Sequence, residues 1–218
     1  MNFSFLHTME SNVALFALAA DKVGWSPDHV HHAVRADLRQ VMSAQPADRI
    51  SAHAMVHETL RELAASANVM VVTCATLGPA VDTMGALDIP VIRADAALAE
   101  AASRAGKHIA VLCAVEATIA PNRALFERYA SRTGATVTVR LIPDAWARYQ
   151  DGQHAACTAI CAQAAQEARD EGFDVVAYAH PWMAAATALA DDHRRPLDSV
   201  QAAMDAARAA IRARGNGG

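Results

Sequence analysis

Two apolar rhythms alternate along this chain. Short apolar or β-branched runs give way to longer alanine-rich stretches whose apolar positions fall three and four apart. The short runs predict strands at residues 2–6, 29–34, 69–73, 90–93, 108–113, 136–142 and 174–179. The longer stretches predict helices at about 10–22, 49–67, 96–105, 121–132, 151–171, 181–190 and 199–212, with another opened by Gly78-Pro79 and a frayed tail after Arg214. Residues 69–73 are apolar almost throughout, the mark of a strand covered on both faces. Strands alternating with helices imply the α/β class, with parallel sheets flanked by helices. The layout repeats on either side of Asp95, predicting two lobes: residues 1–95 plus 199–218, and residues 96–198.

Composition narrows the function. A chain of 218 residues fits one large domain or two small lobes. With 53 % hydrophobic and 19 % charged residues it has the means to build a core, and disorder is excluded. No apolar run reaches the roughly 18 residues of a transmembrane helix. Lys and Arg number 19 against 23 Asp and Glu, and no basic stripe interleaved with aromatics exists. Nucleic-acid and anionic-membrane partners are therefore not expected. Cys74, Cys113, Cys157 and Cys161 form no framework and read as reduced thiols of a cytoplasmic protein. Residues 13–20 imitate a signal-peptide core, but no basic region precedes them, and they read as the first helix.

Ligands of open parallel sheets bind beyond the carboxyl ends of the strands. Residues following the strands there include His7-Thr8, Cys74-Ala75-Thr76-Leu77-Gly78-Pro79, Glu116-Ala117-Thr118 and His180-Pro181-Trp182. Cys74 would stand before a helix N-terminus, whose free N–H groups favour a thiolate. Thr76 adds a hydroxyl and Gly78 permits close backbone approach, a combination suited to a small carboxylate beside a reactive thiol. The competing reading of Cys74 is a small buried apolar residue. His180 can exchange a proton near neutral pH, or can simply satisfy backbone groups at a strand end. Thr118 can hold a carboxylate or cap a helix.

Other chemistries fit less well. His53 and His57 are spaced i, i+4, and His29, His31 and His32 cluster, but no H-E-x-x-H exists, so these read as solvated rather than zinc-binding. Cys157 and Cys161 mark a buried stripe. Pyridoxal phosphate needs a Schiff-base lysine; only Lys22 and Lys107 exist, and Lys107 precedes its strand. No G-x-G-x-x-G follows the first strand.

The run from Val71 to Asp82, VVTCATLGPAVD, resembles the first cysteine motif of the aspartate/glutamate/hydantoin racemase superfamily. Leu6-His7-Thr8, residues 89–92, residues 109–112 and the stretch 174–183 extend the resemblance along most of the chain. It implies two pseudo-symmetric lobes with the active site in the cleft between them. It also implies cofactor-independent proton transfer by two cysteines acting from opposite faces of the substrate. Cys74 matches the first cysteine, and His180 stands at the second position. Thr76 and Thr118 match hydroxyl residues that hold the substrate carboxylate, and Ala75 replaces a frequent asparagine.

The resulting expectation is an isomerase moving a proton next to the carboxylate or carbonyl of a small acid, without cofactor or metal. Cys74 and His180 are its catalytic pair, with His7, Thr8, Ala75, Thr76, Glu116, Thr118 and Pro181 around the substrate. A decarboxylase or other lyase, and a non-catalytic small-acid binding protein, are the alternatives. The alanine-rich helices also offer a face for a homodimer or higher homo-oligomer.

Overall fold

Four short strands carry the first half of the chain: β1 (Phe3–His7), β2 (Val30–Val34), β3 (Val69–Val72) and β4 (Val91–Arg93). They form one parallel sheet in the order β2-β1-β3-β4. The computed structural model describes residues 1–44, 49–191, 193 and 195–215. In its second half, β5 (His108–Cys113), β6 (Thr136–Leu141), β7 (Val175–Tyr178) and β8 (Leu197–Asp198) form another parallel sheet, in the order β6-β5-β7-β8. The chain divides into two compact units. One holds residues 1–95 and the segment from Ala203 onward; the other is the continuous stretch Ala96–Ala202.

Strand β1 shows how pattern becomes structure. All five of its residues are buried, as a strand covered on both faces requires. Phe3 stacks on Trp25 and Phe5 meets Phe16 on one face; Leu6 turns to the other, among Leu38, Val56, Leu60, Met70 and Val72. In the second unit, Ile109, Val111 and Cys113 of β5 alternate into a core with Leu98, Phe126, Val175 and Ala177.

The helices are α1 (Ser11–Lys22), α2 (Ala36–Met42), α3 (Arg49–Ala64), α4 (Gly78–Thr83), α5 (Ala94–Ala105), α6 (Ile119–Ala130), α7 (Ala145–Gln150), α8 (His154–Asp170) and α9 (Ser199–Gly215). Helix α2 was not expected from the pattern. Helix α6 starts two residues ahead of Pro121, which its first turn tolerates because N–H groups there lack intrahelical partners anyway. The helix expected over 151–171 is α8, His154–Asp170; α7 ahead of it was not expected, and in the turn between them Gly152 takes φ +73°. The helix expected over 181–190 is a tighter 3₁₀ segment, Pro181–Leu189. Helix α9 runs through Gly215; the rest of the expected frayed tail lies outside the described residues.

The two sheets share one register. Leu6 pairs with Val72 across β1 and β3, and Leu112 pairs with Tyr178 across β5 and β7. The next residue in each case donates its N–H back to the same leucine: Thr73 to Leu6 and Ala179 to Leu112, both at 3.0 Å. Cys74 and His180 follow. They therefore hold corresponding positions at the carboxyl ends of the two sheets, as do His7 and Cys113.

Candidate active site

In each sheet the strand order reverses between the first strand of the unit and the strand to its right, β1 against β3 and β5 against β7. This is where open α/β sheets leave a crevice for ligands. Cys74 leaves β3 in extended conformation, φ −108° and ψ 117°, and its carbonyl accepts the Leu77 N–H at 3.1 Å. The N–H groups of Ala75 and Thr76 lie ahead of that first turn-closing bond. Cys74 and Thr76 are partly exposed and Ala75 is exposed.

This loop is braced from two sides. The Arg93 guanidinium, at the end of β4, donates to both oxygens of Asp95 (3.1 and 2.6 Å), reaches Asp82 at 2.6 Å and donates to the Gly78 carbonyl at 3.3 Å. Its side chain is 10 % exposed. Burial alone would disfavour the charge, but the two carboxylates more than offset this and hold the guanidinium firmly protonated. A Cβ on Gly78 would stand 2.3 Å from Arg93 Nη2. The glycine expected to admit a ligand thus makes room for this arginine. From α3, His57 Nε2 donates to the Ala80 carbonyl at 2.7 Å, and His53 Nδ1 lies 3.1 Å from the Thr83 hydroxyl. The two histidines weighed above as solvated or metal-binding are staples between α3 and α4.

His7 and Thr8 depart from the picture of side chains open to substrate. His7 is fully buried, with Nδ1 2.9 Å from Thr73 Oγ1 and Nε2 2.9 Å from His32 Nδ1. Both ring nitrogens are engaged by protein groups. Burial, with His32 alongside, pushes the His7 pKa down to about 3, so the ring is neutral. Thr8 is buried, and its hydroxyl meets no hydrogen-bond partner among the described residues.

In the second unit, His180 ends β7 at φ −111°, ψ 136°, and its carbonyl accepts the Met183 N–H at 3.0 Å, the same turn as at Cys74. Pro181 occupies the first turn position and offers no N–H. The imidazole stacks on Trp182 (ring centres 5.5 Å apart, planes 4° apart), and Trp182 in turn stacks on Tyr149 of α7 at 4.5 Å. Trp146 stands 6.0 Å from Trp182. In the loop after β5, Glu116 is exposed. The Thr118 hydroxyl donates to the Val115 carbonyl at 2.6 Å, which commits its single proton to the turn rather than to a ligand. Cys113 is buried beside Thr118 and Asn122, and burial raises its pKa to about 11. Cys157 and Cys161 are buried as expected of a stripe, and Cys157 contacts the Ala145 carbonyl at 3.3 Å.

Sequence reasoning found Thr73 and Arg93 at strand ends but gave them no role, read His32 only as one of a histidine cluster, and missed the Trp146–Tyr149–Trp182 cluster. One signal was available: Phe3, Phe5 and His7 alternate along β1, which places His7 on an aromatic, buried face. Among the described residues, no group of histidine, cysteine and carboxylate side chains has the makings of a metal site, and no helix is long and apolar enough to cross a membrane.

Three solved structures that share this architecture are racemases by name. A glutamate racemase isoform of Bacillus anthracis superposes with TM-score 0.69 at 16 % identity, covering 98 % of this chain and 82 % of that one. The aspartate racemase of Picrophilus torridus gives 0.69 at 13 % identity (99 % and 95 % covered), and the allantoin racemase of Klebsiella pneumoniae 0.69 at 18 % (98 % and 88 %). At such identities the likeness establishes the fold alone. No curated protein matches at the level of sequence. The family model for Asp/Glu/Hydantoin racemase, however, matches residues 8–212, from just after β1 into α9, and includes the turns at Cys74 and His180. The chain belongs to the Asp/Glu/hydantoin racemase family.

Proposed function

We propose that this chain is a cofactor-independent isomerase that moves a proton at the carbon next to the carboxylate or carbonyl of a small acid, with Cys74 and His180 as unlike acid/base partners. The observation that carries this reading is their placement: a thiol and an imidazole at corresponding ends of two sheets, each opening the same turn. In one direction the Cys74 thiolate takes the α-proton, and the electron pair left on carbon spreads into the carboxylate. His180 then returns a proton to the opposite face. The N–H groups of Ala75 and Thr76, ahead of the turn-closing bond, are the candidate donors for the developing enediolate. Because the partners differ, the two directions need not be equally fast, although the final equilibrium belongs to the substrate alone.

One observation favours a second reading. Only one of the two corresponding positions carries a thiol. Loss of carbon dioxide followed by protonation from one side needs no more than that.

Both are tested by incubating the protein in heavy water with aspartate, glutamate, hydantoins, maleate and arylmalonates, followed by proton and carbon NMR. The isomerase reading expects deuterium at the α-carbon, reduced on the order of 10²–10⁴-fold in Cys74→Ala. Undiminished exchange in that variant would sink it. Carbon dioxide with a product of single handedness selects the lyase. Binding without turnover that survives Cys74→Ala selects a non-catalytic protein.

A further inference from the structure

The buried polar chain at the end of β1 has no part in the proton transfer just described. Thr73 Oγ1 lies 3.2 Å from the Leu6 carbonyl and 2.9 Å from His7 Nδ1, and His7 Nε2 lies 2.9 Å from His32 Nδ1. At the far end, His32 Nε2 is buried and meets no hydrogen-bond partner among the described residues. With both rings neutral, protons can run along this chain in only two directions. In the first, Thr73 donates to Leu6, His7 donates from Nδ1 to Thr73, and His32 donates from Nδ1 to His7. The chain then ends in a bare lone pair on His32. In the second, Thr73 donates to His7 and the chain ends in a buried N–H on His32 with no acceptor. An orphaned buried donor is the rarer and costlier defect, and the second direction also gives up the hydroxyl bond to Leu6. The first direction holds.

We propose that His7 and His32 form a tautomer-locked positioning dyad that fixes, through the Thr73 hydroxyl, the backbone carrying Cys74. The dyad rests on the reading of Cys74 as the reactive group but is detectable without any turnover. Thr73 is tied to one carbonyl, that of Leu6, by both its N–H (3.0 Å) and its hydroxyl, so the residue before the thiol is held at two points. The rings are clamped in turn: Phe5 stacks on His32 at 4.9 Å, His7 on His32 at 5.1 Å, and Phe16 closes over His7 at 5.6 Å. Burial keeps both imidazoles neutral, which the two-way donor and acceptor chain requires. His7 acts through Thr73 and is a positioning residue rather than a catalytic one.

The test uses the full chain with ¹⁵N-labelled histidine. At neutral pH, two histidines should show the neutral Nδ1–H signature, the less common tautomer of free imidazole side chains, and lose it in His7→Phe and His32→Phe respectively. Alongside, alkylation of Cys74 by iodoacetamide is followed by mass spectrometry of its peptide. Thr73→Val and His32→Phe should each change that rate by about tenfold, Thr73→Ser should restore it to within about twofold, and the double variant should add little to either single change. An Nε2–H tautomer or an imidazolium at either ring overturns the dyad. So does a Cys74 rate within about twofold of wild type in both Thr73→Val and His32→Phe. Intact tautomers and the expected alkylation changes support the dyad even if the heavy-water test shows no exchange; that result would fall on the isomerase reading alone.

Discussion

The turn at Cys74 and the turn at His180 have the same backbone and opposite supports. Each leaves the middle of its sheet extended and closes with an i to i+3 bond of about the same length, 3.1 and 3.0 Å. At Cys74 the bracing is polar: Arg93 with two carboxylates beneath Gly78, and His57 on the Ala80 carbonyl. At His180 it is aromatic: Trp182 against the imidazole, Tyr149 against Trp182. The difference follows from what surrounds each loop. Short helix α4 leaves carbonyls within reach of donors from α3 and β4, whereas the proline-led 3₁₀ segment offers a tryptophan face to α7. A fold can therefore keep a turn while exchanging everything that holds it, and the support then dictates how the turn fails.

The largest separation should come from Arg93→Ala. It removes the guanidinium that Asp82 and Asp95 share, and Asp95 is among the buried charged residues of its unit. Removing one partner of a buried pair costs about 3–5 kcal/mol, so denaturant titration should show a loss of that order. Because the damage is electrostatic, adding salt should change the size of the loss. Trp182→Ala should cost about 3 kcal/mol through lost packing, with little response to salt. If both losses respond alike to salt, the contrast between polar and aromatic support is wrong.

The smallest effect is a contrast in pH. His7 and Cys113 hold corresponding positions, yet their burial acts in opposite senses. The folded His7 pKa lies at about 3 against an ordinary 6.5, so the unfolded chain binds the proton first. The stability due to neutral His7 is complete above pH 6.5 and is lost as pH falls toward 3. Cys113 is raised from 9.0 to about 11, so its contribution is complete below pH 9 and is lost as pH climbs toward 11. Inside its window each should change stability by no more than about 1.4 kcal/mol per pH unit. Denaturation midpoints measured across pH should flatten on the acid side only in His7→Phe and on the alkaline side only in Cys113→Val.

What the sequence makes legible, and what it hides, follow from range. Strand β5 is readable to the residue because six consecutive positions carry its pattern. Helix α2 spans seven residues with a single buried position, Leu38, and two-residue β8 is defined by pairing with β7, so neither leaves a local pattern. Helix α7 spans only six residues with a single buried position, Ala145, so it too leaves no periodic pattern, whereas the longer α8 was readable. In the site, Cys74 and His180 were legible because strand ends expose chemistry. The roles of Arg93 and His32 were not, since they depend on partners distant in sequence: Gly78, 15 positions from Arg93, and His7, 25 positions from His32.

The division of the chain carries a consequence for how it is made. The second unit is one uninterrupted stretch, Ala96–Ala202, whereas the first includes residues on both sides of it. On the ribosome, every residue of the second unit is added before Ala203–Gly215 of α9. The unit that bears His180 has all of its residues once Ala202 is added. The unit that bears Cys74, although begun first, must wait for the last helix. A nascent-chain pause before Ala203 would therefore leave the thiol side unfinished.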